Sequence, residues 1–597
     1  MAGDAGDASV NLQLGIVGNG TIAGLINQTG EYVWLCLPRF DGEPVFNTLL
    51  GGGGRFAVRL ENQVSASQVY LRNTAVIETL LEAEDGSAVR ITDFAPRFVA
   101  RGRMFRPASI VRTVKPERGL PRITIELNGQ TGRGATDMPV KRGVSHLSYI
   151  DEQHGFRVTT DAPLSYVVDN RPFVLDREIS FVLGPDESLS DEVGNLARSW
   201  KEQTASHWRD WSRRLATPAE WQEAVIRAAI TLKLCVFEET GGIVAALTTS
   251  LPEHADSGRN WDYRYCWLRD AYFTVSALNR LSAVGTLERY VAFLRNTVAQ
   301  TRGGHIQPVF GVALEPDLTE TIAEHLPGYR GMGPVRFGNQ AAEHIQHDVY
   351  GHVILGASQA FFDERLYYKA GPLEFHNFEL VGERAWQVYR TPDAGIWEYR
   401  GRACVHTSSA FMCWAACDRL AKIAAVVGRP DRIPIWRERA DEMREVILRE
   451  AWNEKRQAFT GAFGEDALDA SVLLMAEIGF IDPQDPRYVA TVDRIDEELR
   501  EGFHVYRYRT EDDFGKPKTA FTACTFWHID ALARIGRKEQ AREIFEDVLA
   551  HRTHLGLLSE DIDTATGELW GNFPQTYSMV GVINAAARLS RSWEDVT

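Results

Sequence analysis

The sequence predicts a multidomain chain with an antiparallel β-domain followed by a larger helical domain. At 597 residues the chain exceeds what one hydrophobic core usually supports. Its first part alternates short apolar runs with turn residues, whereas the remainder places apolar residues at three- and four-residue spacing. We place the β-domain at residues 1–200, a helical linker at 201–225 and the helical domain at 226–597.

The β-domain is predicted from runs with period-two patterning that are separated by tight turns. The turns contain Asn-Gly, Thr-Gly-Glu and Asp-Gly, which are typical of antiparallel hairpins. Many strands without intervening helices favour a β-sandwich. The runs include LGIVGNG, IAGLINQTGEYVWLCL and AVIETLLEAEDGSAVRITDFAP.

The helical domain is predicted to begin near Asn195 with one long helical stretch over 199–237. Further helical segments alternate with loops rich in Gly, Pro, Asp and aromatic residues. This alternation is typical of a ring of paired helices, in which the loops at one rim build the site. The segments are Ala271–Leu281, Leu287–Ala299, Ala341–Asp363, Leu373–Tyr389, Ser408–Val427, Arg432–Ala451, Ala467–Ile478, Tyr488–Glu498, Ala520–Ile535, Lys538–Leu549 and Tyr577–Leu589.

The charge of the chain excludes some classes of partner. A net charge of −16 and a pI near 5.5 repel phosphate backbones, so nucleic acid is not expected as a partner. No run of about 18 apolar residues is present, so no membrane span is predicted. The N-terminus lacks the basic residues and the apolar core of a secretory signal.

Cysteine and histidine patterns predict neither a metal site nor a cofactor. The seven cysteines are scattered, and Cys413 and Cys417 lie four apart in an apolar helical run, as core thiols do. We therefore expect a reducing, cytoplasmic compartment; a mature form without its leader is the alternative. His344, His347 and His352 form no His-Glu-x-x-His pair, so polar contacts on a helix are expected instead.

Five loops between the predicted helices concentrate aromatic and charged residues. Aromatic platforms beside carboxylates and arginines suit a carbohydrate, because a sugar ring offers apolar faces for stacking and a rim of hydroxyls for hydrogen bonds. Each motif alone also fits a helix terminus or an ordinary ion pair, whereas five together favour a sugar site. The loops contain RNWDYRYCWLRD, PVRFGN with QHDVYG, PDAGIWE, VYRY, and GLLSED followed by GNFPQ.

These segments resemble glycoside hydrolase family 15, the family of glucoamylases, glucodextranases and bacterial trehalases. The resemblance covers nearly the whole chain, from LGIVGNGTIAGLINQTGEYVWLCLPRFDGEPVF to NWDYRYCWLRDA, PDAGIWE and GNFPQ. It implies an N-terminal β-sandwich and an (α/α)6-barrel catalytic domain. It also implies hydrolysis with inversion at an α-linked glucose of a non-reducing end.

The resemblance also implies roles for individual residues. Glu398 in GIWE would be the general acid, and Glu560 in GLLSED would be the general base. Glu568 in TGELWGNFPQ is the rival for the base, but Glu560 matches the Leu-Leu-x-Glu pattern directly. Residues expected to bind the released glucose are Arg269, Asp270, Trp397, Trp267, Tyr263 and Arg507.

The expected activity is exo-acting release of β-glucose from α-glucan or oligosaccharide ends, as in a glucoamylase. Hydrolysis of α,α-trehalose and an α-1,6 preference are the alternatives within the class. A catalytically inactive carbohydrate-binding relative is the alternative of another class, and the oligomeric state stays open.

Three positions depart from the family pattern, namely His352 after DVYG, Lys518 before Thr-Ala-Phe, and Tyr577 after GNFPQ. They leave the linkage preference open. Loops 303–338 and 508–518 are expected to line the subsites for the leaving group.

Overall fold

The computed structural model describes residues 10–152, 155–301 and 303–596. Its N-terminal part is a sandwich of two antiparallel sheets. The first sheet contains, in spatial order, Gly15–Gly18, Ala23–Ile26, Tyr32–Leu37, Arg55–Leu60, Arg122–Asn128 and Phe173–Val174, with Glu43–Phe46 paired to Tyr32–Leu37. The second contains Val140–Arg142, His146–Ile150, Gly155–Thr160, Ile179–Gly184, Ile110–Arg118, Ala88–Phe94, Ile77–Ala83 and Gln63–Tyr70.

The inner faces of the two sheets form one core, and it includes a buried ion pair. Phe56 of the first sheet meets Phe181 of the second edge-on, with ring centroids 5.4 Å apart. Arg112 donates to both carboxylate oxygens of Asp93, at 2.8 and 3.1 Å, and its guanidinium lies 4.7 Å from the ring centroid of Tyr32. A charge can be buried here because it is fully paired.

The outer face of the first sheet packs on the helical domain. Strand Tyr32–Leu37 is buried on both faces, which explains its continuous apolar run. The indole Nε1 of Trp34 donates to the backbone oxygen of Leu247 at 2.8 Å, and Arg97 forms a buried ion pair with Glu238 at 2.7 Å. The sandwich therefore supports the loops of the helical domain directly.

The helical part is a closed ring of paired helices. The helices of the described residues are α1 Leu164–Val168, α2 Val193–Ser212, α3 Gln222–Leu234, α4 Leu268–Arg280, α5 Val284–Thr301, α6 Asp348–Phe362, α7 Pro372–Val388, α8 Thr407–Val426, α9 Ile433–Glu450, α10 Leu474–Ile478, α11 Pro486–Glu498, α12 Thr522–Arg534, α13 Lys538–Ala550, α14 Thr576–Leu589 and α15 Trp593–Val596. An inner ring is formed by α4, α6, α8, α10, α12 and α14, which pack in this order, and α14 packs on α4 to close it. An outer ring of α3, α5, α7, α9, α11 and α13 surrounds it, which confirms the (α/α)6 barrel.

Burial distinguishes the inner ring from the outer ring. In the inner helix α8, 16 of 20 residues are buried, so the helix is apolar on nearly all sides. The outer helix α9 buries a single stripe of Trp436, Ala440, Met443 and Ile447 and exposes its charged face.

Long loops lie at one rim of the barrel and short ones at the other. Every connection from an outer helix to the next inner helix is long, as in 235–267 and 551–575, whereas inner-to-outer connections such as 281–283 and 535–537 are short. The long loops therefore gather at the N-terminal ends of the inner helices. They contain the antiparallel strand pairs Cys266–Trp267 with Val309–Phe310, Thr321–Ile322 with Arg336–Phe337, Trp452–Asn453 with Ala458–Phe459, and Arg500–Glu501 with His504–Val505, and the three-stranded sheet Ala520–Phe521, Asp561–Ile562 and Leu569–Trp570.

Three predicted helices differ from the observed ones. The stretch 199–237 forms two helices, α2 and α3, because a loop containing Pro218 separates them and Trp221 adopts a left-handed φ of 55°. The segment 341–363 becomes helical only from Asp348, after a short 3-10 turn at Gln340–Glu343. The segment 467–478 is α-helical only over Leu474–Ile478, after a 3-10 turn at Ala470–Leu473. The domain boundaries at 200 and 225 stay a prediction.

Within the part of the chain that the structure describes, no helix has both the length and the apolar character needed to span a bilayer.

Candidate active site

A cavity of about 900 Å³, including its space open to solvent, lies at the rim that carries the long loops. It brings together residues from loops that are far apart in sequence. All the predicted site residues except Glu560 line it, namely Tyr263, Trp267, Arg269, Asp270, Trp397, Glu398 and Arg507. Glu560 lies directly behind the cavity wall, where its carboxylate is hydrogen-bonded to Tyr263.

Glu398 is held at the cavity by two donors on the same oxygen. The Nε1 of Trp267 donates to Glu398 Oε1 at 2.7 Å, and the Nη2 of Arg269 donates to it at 3.2 Å. Glu398 adopts a left-handed backbone with φ 61°, which costs about 1–3 kcal/mol for a residue with a side chain. Local backbone strain of this kind concentrates at functional sites.

Arg269 and Asp270 start helix α4 and form one polar unit with the Glu398 loop. Arg269 donates to Asp270 Oδ2 at 3.2 Å and to the backbone oxygen of Ile396 at 2.9 Å. Burial raises the pKa of Asp270, and the adjacent Arg269 opposes this shift. A carboxylate in the first turn also interacts favourably with the helix dipole. The unit offers both donors and acceptors to a sugar hydroxyl.

Glu560 is buried and receives two hydrogen bonds. The hydroxyl of Tyr263 donates to Oε1 at 2.6 Å, and the backbone N–H of Asn572 donates to Oε2 at 3.1 Å. Gly571 allows this approach, because a Cβ there would lie 2.7 Å from Glu560 Oε2. Burial raises the pKa of Glu560, the charge of Glu253 raises it further, and the hydrogen bonds oppose both effects.

A pair of aromatic rings separates the two carboxyl groups. The rings of Tyr263 and Trp267 meet edge-on with centroids 5.3 Å apart, and each ring donates to one carboxylate. Glu560 and Glu398 are thus fixed at opposite ends of one aromatic pair. The wall between them is apolar with two polar tips, which suits a sugar ring.

Trp397 and Arg507 line the cavity, but their polar groups bind other residues of the protein. Trp397 donates from Nε1 to Asp469 Oδ2 at 2.7 Å, and its ring packs edge-on against Phe521. Arg507 forms an ion pair with Glu253, with Nη1 3.2 Å from Oε1. Trp397 therefore presents its ring to the cavity, while the charge of Arg507 is already compensated.

Part of the cavity wall combines an ion pair with aromatic rings. Arg259 donates to both oxygens of Asp512, at 2.7 and 2.6 Å, and Phe514 packs edge-on against Trp261. The guanidinium of Arg400 lies 4.4 Å from the ring centroid of Trp261. We call these five residues the ion-pair wall. It lines the cavity with several hydrogen-bonding groups.

The two loops expected to line the leaving-group subsites contribute differently. Loop 508–518 supplies Asp512 and Phe514 to the cavity. The expectation for 303–338 is wrong, since none of the described residues in that loop reaches the cavity. Instead, Glu320 binds Arg400 at 2.9 Å, and the guanidinium of Arg336 lies over the ring of Trp261. This loop therefore supports the ion-pair wall.

Three carboxylates of the candidate site were not predicted from the sequence, namely Glu253, Asp469 and Asp512. Each is a single carboxylate in a loop, and each makes its contact with a residue far away or in a different motif. Their shared signal is position, since all three lie in long loops that lead into inner helices.

Two groups of potential metal ligands occur among the described residues, and neither includes the three histidines singled out from the sequence. Burial lowers the pKa of His347 to about 4, as expected for a core polar residue. The groups are His504, Asp547 and His551, and Glu253, Glu560 and Asp561. In the second, Arg507 already supplies a positive charge.

Glu568, the rival for the base, lies outside the cavity. Its carboxylate pairs with Arg330 at 2.7 Å and is partly exposed.

Replacing Tyr263 by Phe is expected to reduce kcat/KM by about 10- to 100-fold, because a hydrogen bond to a charged group contributes about 1.5–3 kcal/mol. In the wild type this bond favours the ionised form of Glu560. Its loss therefore raises the pKa of Glu560 and moves the acid limb of the pH profile to higher pH. A pH series of kcat/KM on both proteins measures this. An unchanged acid limb would mean that Tyr263 does not act through Glu560.

A barrel that holds one carboxyl group at each end of an aromatic pair fits a glycoside hydrolase. The chain belongs to glycosyl hydrolases family 15, whose sequence profile matches residues 220–587. A second profile, described as the N-terminal domain of trehalase-like proteins, matches residues 5–118. The family resemblance of the sequence is thereby confirmed.

Similar proteins cover almost the whole chain. Trehalase of Thermoplasma volcanium is 31% identical over 97% of this chain and 93% of its own length. Trehalase of Mycolicibacterium smegmatis is 31% identical over 96% of this chain and 90% of its own length. A bacterial glucoamylase solved in complex with acarbose superposes with a TM-score of 0.68 at 12% identity, covering 98% of this chain and 95% of that one. At this identity the glucoamylase shares the fold.

Proposed function

We propose that the enzyme hydrolyses an α-glucoside with inversion, with Glu398 as general acid and Glu560 as general base. The observation that carries this proposal is the pair of hydrogen bonds from Trp267 to Glu398 and from Tyr263 to Glu560. These bonds hold two carboxyl groups at opposite ends of one aromatic pair, at the cavity of a barrel. An inverting hydrolase needs such a spaced pair, because a water must fit beside the base.

The chemistry follows from the two positions. Glu398 gives its proton to the glycosidic oxygen as the bond to the anomeric carbon breaks. Glu560 takes a proton from the water that attacks the same carbon on the opposite face. The products are one glucose with inverted configuration and the leaving sugar, and one water is consumed. Arg269 and Asp270 would hold hydroxyls of the attacked glucose, and Trp397 would stack on its face. Arg507, which is paired with Glu253, would add a further hydroxyl contact.

For the substrate we propose α,α-trehalose. Two relatives that cover at least 96% of this chain are named trehalase. The ion-pair wall supports the same choice, since it offers guanidinium and carboxylate groups over the cavity rather than an extended apolar groove. A second glucose with free hydroxyls can bind such a wall. Release of glucose from α-1,4-glucan ends, the first choice from the sequence, stays a prediction.

A hydrolysis panel of trehalose, maltose, maltotriose, isomaltose and soluble starch tests the substrate. We expect kcat/KM for trehalose to exceed every other value by at least about tenfold, because the wall should contact the second glucose in the transition state. A preference for maltotriose or starch would favour the glucoamylase activity. Inactivity on all five would favour a carbohydrate-binding relative.

Hydrolysis of trehalose in water-18O tests the stereochemistry. Only the attacked glucose receives oxygen from water, so inversion places the label in β-glucose while the leaving glucose stays α and unlabelled. NMR and mass spectrometry of the first products distinguish the two. Label in α-glucose at early times would contradict inversion.

We also propose a reducing, cytoplasmic location. All seven cysteines are free, and Cys404 is the one among them that is not fully buried. Fractionation of the native cells would test it.

A further inference from the structure

Three acidic side chains crowd together behind the cavity wall. Glu253, Glu560 and Asp561 each place a carboxylate oxygen within 4.8 Å of the others, and all three residues are buried. Like charges at this distance in a dry site strongly disfavour simultaneous ionisation. A cluster of this kind therefore holds protons unless cations compensate it.

The cations near the cluster do not compensate it fully. Arg507 binds Glu253 with both of its terminal nitrogens. Arg259 approaches Glu253 at 3.7 Å, but its fork is engaged by both oxygens of Asp512. The two guanidinium groups therefore face four carboxyl groups, those of Glu253, Glu560, Asp561 and Asp512.

Four further titratable groups close to the cluster are neutral. Burial raises the pKa of the Cys524 thiol and of the Tyr508 and Tyr263 hydroxyls. Burial also lowers the pKa of His254, the neighbour of Glu253 in sequence, so none of the four groups supplies a positive charge at neutral pH. Full ionisation would leave two uncompensated negative charges in the interior, so the cluster is expected to retain a proton.

Hydrogen bonding indicates which carboxyl retains it. Glu560 accepts from a hydroxyl and from a backbone N–H, on different oxygens, and both bonds favour its ionised form. Asp561 accepts from Thr519 on Oδ1 at 3.0 Å. Its Oδ2 is buried and has no hydrogen-bond partner among the described residues. An unpartnered buried oxygen is far costlier on a charged carboxylate than on a neutral acid.

We propose that Asp561 retains a proton at neutral pH and thereby allows its neighbour Glu560 to remain ionised. The inference rests on the proposed role of Glu560 as base, and it makes Asp561 a positioning residue that acts through Glu560. The proton stays on Asp561 during turnover, and the proton that Glu560 takes from water returns to solvent. Burial and the charges of Glu253 and Glu560 raise the pKa of Asp561, which agrees with this assignment.

The pH profile of Asp561→Asn tests the inference. Asn is the neutral isostere of a protonated Asp and can keep the bond from Thr519. If Asp561 is already neutral, the acid limb of kcat/KM, which reports ionisation of Glu560, should move by less than about 0.3 pH units. If Asp561 is ionised before Glu560, removing its charge should lower the acid limb by about one unit or more, and the inference is overturned.

Glu253→Gln is the matched charge control. It removes a negative charge at a similar distance from Glu560, so the acid limb should move to lower pH by about one unit. This shift shows that the profile responds to charge in the cluster. Equal shifts in both variants would show that Asp561 is charged, like its neighbour.

Infrared spectroscopy tests the proton without any substrate. The difference between the wild type and Asp561→Asn at neutral pH should contain one carbonyl band of a protonated carboxyl. In protein labelled with 13C at the aspartate carboxyls, this band should shift. An unshifted band would place the proton on a glutamate and overturn the inference. The comparison of labelled and unlabelled wild type needs no variant, so it decides the question even if Asp561→Asn does not fold. Failure of the proposed activity would leave this result unaffected.

Discussion

Replacing Glu398 by Gln is expected to lower kcat for the natural glucoside by about 10²- to 10⁴-fold. The amide keeps an oxygen that accepts from Trp267 and Arg269, but it has no acidic proton for the leaving oxygen. Glucose binding should therefore remain measurable by calorimetry. The loss should be much smaller with α-glucosyl fluoride, because fluoride departs without protonation.

Glu568→Gln is the control for this experiment. Glu568 pairs with Arg330 outside the cavity, so its replacement should change kcat by less than about twofold. Equal losses of Glu398→Gln on the glucoside and on the fluoride would show that Glu398 is not the acid.

Replacing Glu560 by Gln is expected to lower kcat by about 10²- to 10⁴-fold on both substrates, because the attacking water loses its base. Here the fluoride should give no advantage, which separates the two carboxyls. Azide needs no deprotonation and should restore part of the rate by forming β-glucosyl azide. Circular dichroism checks that the buried site tolerates the amide. A near-normal rate in this variant would remove Glu560 from the mechanism.

Local periodicity was sufficient to predict the domain classes and most helices. Strand Ile77–Ala83 alternates buried and half-buried residues, and α9 buries one residue in every three or four, as its spacing indicates. Two of the three inaccurate helices fail where a local signal competes with the pattern. Pro218 interrupts the stretch 199–237, and the apolar spacing before Asp348 belongs to a 3-10 turn.

Ring closure could not be predicted from periodicity. It depends on α14 packing against α4, two helices that lie at opposite ends of the domain sequence. Only the resemblance to a known family supplied this architecture in advance.

Some residues of the candidate site could likewise be predicted from the sequence and others could not. Dense motifs such as the run around Trp267 and the GIWE segment were found because several unusual residues stand together. Glu253 and Asp469 were missed because their importance comes from partners that are distant in sequence, and a lone loop carboxylate carries no local signal. Arg507 was expected to bind a hydroxyl, yet its charge is directed to Glu253. A sequence motif identifies a side chain but not the residue to which it is hydrogen-bonded or ion-paired.

The closure of the ring also sets an order in time. A polypeptide grows from its N-terminus, and α14, which completes the ring against α4, is the last barrel helix to leave the ribosome. The loop with Glu560 directly precedes it, whereas Glu398 emerges more than a hundred residues earlier. A growing chain thus holds the proposed proton donor long before the proposed base. If Glu560 has this role, a partly made molecule cannot hydrolyse its substrate until the last part of the barrel has been synthesised.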